Sequence, residues 1–158
     1  MSEQFSIDDL LGHPFAIYTQ QSVEARDQVV DEITRLRLIV SDASLDEDER
    51  KDANKDLPEL VSALGLMDEA DRAFIARVVL GPFPPKEDVV ARTIELNQNL
   101  AQVVVDANRA QAVIRLVTQW ADALRAVVTG QVAAMPAVAA PASAPATAPA
   151  PAAAAPAV

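Results

Sequence analysis

His13 is the only imidazole in the chain, and it stands in Gly12-His13-Pro14-Phe15, a turn sequence. To act as a general base it needs a nucleophile or a substrate pocket beside it. The chain offers no glycine-rich loop, serine elbow or catalytic carboxylate pair to provide one. A single imidazole also cannot supply two nitrogens to a metal, so His13 reads as structural or merely exposed. The second grouping with chemical reach is residues 42–59, where eight carboxylates accompany Arg50, Lys51 and Lys55. Asp48, Asp52 and Asp56 recur every fourth residue and share a helix face, so they could form a cation site or an acidic docking face. The run lacks the central glycine and distal glutamate of an EF-hand loop, and Glu47 stands at pairing distance from Lys51. A solvated helix face is the expectation. With no cysteine there is no disulfide, zinc-thiolate site, iron-sulfur cluster or thiol nucleophile. The sequence therefore reads as a protein that is not an enzyme and carries no metal or cofactor.

Such groups are held by a chain of 158 residues, enough for one domain with a modest core. Its 23 acidic against 13 basic side chains leave a net charge of −10, which repels a phosphate backbone, so direct nucleic-acid binding is not expected. The start carries Glu3, Asp8 and Asp9 in place of a basic region followed by an apolar run, which points to the cytoplasm. Charges interrupt every stretch from Ser2 to Arg125 before the roughly 20 apolar residues a bilayer requires, so membrane association is not expected either.

The elements that position these residues are helical. Glycine and proline divide the chain at Gly12, Pro58, Gly65, Gly81 and Gly130, and the apolar spacing between them is helical with no alternating strand. The expected order is a short helix at 7–11; one at about 20–42 with Val23, Val30, Ile33, Leu36, Ile39 and Val40 inward; and one opened by the capping box Ser44-Leu45-Asp46-Glu47, kinked at Pro58 and ended at Gly65. A further helix starts at Asp68 and places Ala70, Phe74, Ile75, Val78 and Val79 inward. From Pro85 to about 129, Val89, Leu96, Val103, Ala110, Val117 and Leu124 recur every seven residues. Thr93, Leu100, Ala107, Ile114, Ala121 and Val128 interleave with them at spacings of three and four. This predicts one long helix, a rod of about 60 Å, as the organiser of an all-α helical bundle. From Ala133 to Val158 the chain holds fifteen alanines and six prolines without a charge, the composition of a disordered, solubilising tail. The expected domains are an N-terminal arm at 1–18, the bundle at 19–130 and the tail at 131–158.

A rod of this kind must have its apolar side covered, and the earlier helices are shorter than it is. The expected interaction residues are therefore Leu96, Leu100, Val103, Ala107, Ala110 and Ile114, continued by Val117, Trp120, Ala121 and Leu124. Phe5, Phe15 and Tyr18 of the arm join them as aromatic anchors that fold back or dock on another molecule. Asn97, Asn99 and Asn108 flank the seam and are expected to face solvent. The function implied is a non-enzymatic interaction, adaptor or structural component of a larger assembly, coiled-coil-like and homo-oligomeric, with an unidentified protein partner. In composition, a small acidic helical domain with an Ala/Pro tail resembles the phasins, amphipathic proteins that coat polyester granules. That resemblance implies a surface coat and carries no site residues. A third reading is an acidic nucleic-acid mimic acting through residues 42–59.

Overall fold

A computed structural model describes residues 14–80, 87–103, 108–130 and 135, the side chains of 79, 80 and 87 excepted. Phe5, the helix expected at 7–11, His13 and Ala107 lie outside the described residues, as does the Ala/Pro tail apart from Met135. The described residues form four helices, α1 (Pro14–Ser41), α2 (Glu47–Leu80), α3 (Glu87–Gln102) and α4 (Arg109–Val128).

Helix α1 opens on Pro14, whose ring presets helical φ where no amide donor is needed. Residues 14–18 thus belong to the bundle and not to an arm. Its inward face is Tyr18, Ser22, Ala25, Val29, Glu32, Ile33 and Leu36. Of the apolar face expected from the sequence, Ile33 and Leu36 are buried, Val30, Ile39 and Val40 are partly so, and only Val23, 53% exposed, points away, while Tyr18 and Ala25 join the inward side. After Ser41, Asp42 Oδ1 accepts both the hydroxyl of Ser44 at 2.6 Å and its backbone amide at 2.9 Å. These two bonds hold the Asp42 carboxyl below the usual carboxylate range. Ser44 is consequently not the cap of α2. Asp46 caps it, accepting the Asp48 amide at 3.3 Å, with Glu47, Asp48 and Glu49 in the positive first turn.

Helix α2 corrects a second expectation, since it runs unbroken through both Pro58 and Gly65. Its buried stripe Ala53, Leu60, Ala63, Met67, Ala70 and Phe74 keeps helical spacing across both breakers, and both sit on the exposed side. Burial of a continuous face outweighs the lost Pro58 amide and the roughly 1 kcal/mol cost of a helical glycine.

The largest correction concerns the C-terminal rod. Val103 lies in a tight turn, Asn108 is the non-helical N-cap of α4 (φ −102°, ψ 39°), and α3 and α4 are separate helices. Trp120 Nε1 donates to Thr93 Oγ1 at 3.3 Å across a sequence separation of 27. In a straight helix that separation would place them about 40 Å apart. The seven-residue repeat is real, but it describes an antiparallel hairpin as well as a rod, because each half needs the same apolar stripe. Folding back covers in one chain the surface that a rod would leave wet. The local weakness is legible in Val103-Val104-Val105-Asp106, three β-branched residues and an aspartate, all poor helix formers.

Four sets of contacts set the topology. Tyr18 and Ser22 meet Asp71 and Arg26 meets Asp68, making α1 and α2 antiparallel. Gln111 meets Asp56 while Arg125 meets Glu69, so α4 runs parallel to α2. Asn97 reaches Gln21 and Gln28, joining α3 to α1, and α3 closes on α4 through Thr93 and Trp120. One apolar cluster drawn from all four helices fills the centre, with Tyr18, Phe74 and Trp120 its largest members. The Tyr18 and Phe74 rings meet at 4.5 Å, tilted by 56°. Met135 is also buried in this cluster, so at that one residue the tail is docked and not free. No helix among the described residues is long and apolar enough to cross a membrane.

Candidate functional site

Where the end of α1, the first half of α2 and the start of α4 converge, the bundle opens into a cleft of about 430 Å³. Two of the side chains that line it, Arg35 and Arg109, are held by Glu32, which is fully buried on the inward face of α1. Glu32 Oε1 accepts from Arg35 Nη2 at 2.6 Å, and Oε2 accepts from Arg35 Nε at 2.9 Å and Arg109 Nε at 2.6 Å. A carboxylate taken from water in this way is tolerable only when both oxygens carry charged donors, and here they do. The same contacts hold the Arg35 guanidinium more firmly protonated than usual. Across the cleft, Gln111 Nε2 donates to Asp56 Oδ1 at 2.6 Å and Glu59 Oε2 at 3.3 Å, tying α4 to α2.

The resulting wall has Arg35, Lys55 and Arg109 beside Glu49, Asp52, Asp56 and Glu59. Among the described residues that line it there is no serine, threonine, tyrosine or histidine. Among the described residues no three acidic or imidazole side chains converge on a metal position. What the arrangement can do is present fixed charges of both signs, on three helices, to a complementary surface. Asp52 and Asp56 of the sequence-predicted acidic stack line this cleft, whereas Asp48 stands outside it in solvent beside Lys51.

Of the apolar interaction residues expected from the sequence, Ala110 lines this cleft and the other described ones are gathered elsewhere. Leu96, Leu100, Val103, Ala110, Val117, Trp120, Ala121 and Leu124 are buried inside the chain, with Ile114 partly so. Tyr18 is buried too, packed on Phe74 of α2 while its hydroxyl donates to Asp71 at 2.6 Å; Phe15 is half-buried on α1. Asn97 and Asn99 are buried, contrary to expectation. Asn97 earns its place as a clamp, accepting from Gln28 Nε2 at 2.8 Å and donating to the Gln21 carbonyl at 2.8 Å. The residues that sequence reasoning passed over are Glu32, Arg35 and Arg109. Their signal was available: a glutamate at a core position between Val29 and Leu36, with an arginine three residues on. Nothing in the sequence pairs it with Arg109, which arrives only through the tertiary fold. No family model, curated protein or solved structure matches this chain.

Proposed function

We propose that the protein is a non-enzymatic adaptor or structural component of an assembly, binding a protein partner through the mixed-charge cleft between α1, α2 and α4. The observation that carries this reading is the Glu32–Arg35–Arg109 cluster, which fixes two guanidinium groups beside the carboxylates of α2 in one opening. Fixed complementary charge selects partners and steers their encounter, and the surplus of acid on α2 favours a basic surface. Self-association through the α3 and α4 seam is not part of this reading. That face is already spent on the chain's own core, and exposing it would require opening the bundle.

Affinity capture from the native lysate, comparing the wild-type chain with an Asp52→Lys, Glu59→Lys double variant, tests the proposal. Both side chains are exposed, so the fold should survive. A partner held by the wild type and released by the variant is the expected result. Equal capture by the two would remove the cleft as the binding surface.

A further inference from the structure

The bundle carries a second site at its other end. Thr129 donates its amide to the Arg125 carbonyl at 2.9 Å and Gly130 donates to Val127 at 3.1 Å, closing α4. Gly130 then takes φ +74°, a left-handed turn that glycine enters without a Cβ clash. Because α4 is antiparallel to α3, this end lies beside the start of α3. Five residues on, within the ~17 Å an extended chain can span, Met135 is buried to 2% exposure among the core side chains.

Its main chain is held as firmly as its side chain. The Met135 amide donates to Asp88 Oδ2 at 2.6 Å, and its carbonyl accepts from Arg92 Nε at 3.4 Å. Arg92 is steadied in turn by Glu95 at 2.8 Å. Asp88 and Arg92 are one helical turn apart, so together they read both polar groups of a single peptide residue while the core takes its side chain. The sequence adds an independent sign: from 132 to 158 the chain is alanine, proline, valine, serine and threonine, and Met135 is its one long side chain. A flexible, unbranched thioether is well suited to fill an irregular apolar seat.

We propose that the Asp88 and Arg92 face of α3 is a peptide-binding seat for an extended segment bearing a long unbranched apolar side chain, and that Met135 fills it in cis as a displaceable plug. This site is separate from the mixed-charge cleft and does not depend on it.

The test uses the full chain, a Met135→Asp variant, and a labelled peptide copying residues 131–139. The opened variant should bind the peptide at least about tenfold more tightly than the plugged wild type, with binding weakened about tenfold again by Asp88→Asn and abolished when the peptide's methionine is replaced by aspartate. Equal binding to wild type and variant, or no binding to a variant of unchanged helicity, overturns the proposal. Should Met135→Asp lose its helical signal, the unmodified chain decides. Under dilute peroxide Met135 should oxidise as slowly as core Met67, and an excess of the same peptide with norleucine for methionine should accelerate it. Oxidation at the rate of a free methionine, or a rate indifferent to the peptide, also overturns the proposal.

Discussion

Glu32 and Tyr18 are polar side chains without exposed surface, and each is tolerated for a different reason. Glu32 engages two arginines that are 39% and 24% exposed, so the other ends of the pairs remain in water. Truncation in Glu32→Ala strands Arg109 against the core and leaves a void. A loss of about 2–4 kcal/mol is expected, read as a lowered denaturant midpoint. Tyr18 is buried neutral. Desolvation first, then the negative charge of Asp71 and the hydrogen bond to it, push its proton affinity well above the ordinary tyrosine value of 10.0. The folded chain therefore favours the protonated phenol. Its contribution is fully present below pH 10 and is lost as pH rises beyond it, because only the unfolded chain can ionise there. As this is the only tyrosine, ultraviolet titration reads it alone. Phenolate absorbance should appear only together with loss of helicity, and a Tyr18→Phe variant should lack this alkaline step.

Elements in this protein are decided by continuous buried faces more than by local breakers. Helix α2 passes through Gly65, which is exposed and would meet no atom within 4 Å of an added Cβ. Gly65→Ala should therefore raise stability by roughly 1 kcal/mol, by restricting the unfolded chain and improving helix propensity, as a higher Tm will report. A neutral or lower Tm would mean that α2 is not uniformly helical at that point. The converse holds between α3, which ends at Gln102, and α4, which begins at Arg109, although the apolar repeat continues in the sequence. There, weak propensity coincides with a fold-back that buries both flanks at once. Pro58 and Gly65 are strong local signals overridden by packing. Val103-Val104-Val105-Asp106 is a weak one that packing selects.

As a whole molecule, the four helices share one apolar cluster, so they should unfold together. Emission from Trp120, the only tryptophan and one with no exposed surface, should be lost at the same denaturant concentration as helical circular dichroism. An earlier fluorescence transition would mark the α3 and α4 hairpin as a separate unit. The all-helical class and the buried seam residues Val89, Leu96, Leu100, Ala110, Val117, Ala121 and Leu124 were legible in the sequence, because helical periodicity is a local property of the chain, whereas Asn97 and Asn99, expected in solvent, are buried. The mixed-charge cleft and the Met135 seat were not. Glu32 finds Arg109, and Met135 finds Asp88, only after the fold-back of α4 along α3 brings distant segments together. One apolar stripe serves a rod, a dimer or a hairpin equally well at the level of spacing. The choice among them depends on which surface is at hand to bury it, and three-dimensional packing alone supplies that surface.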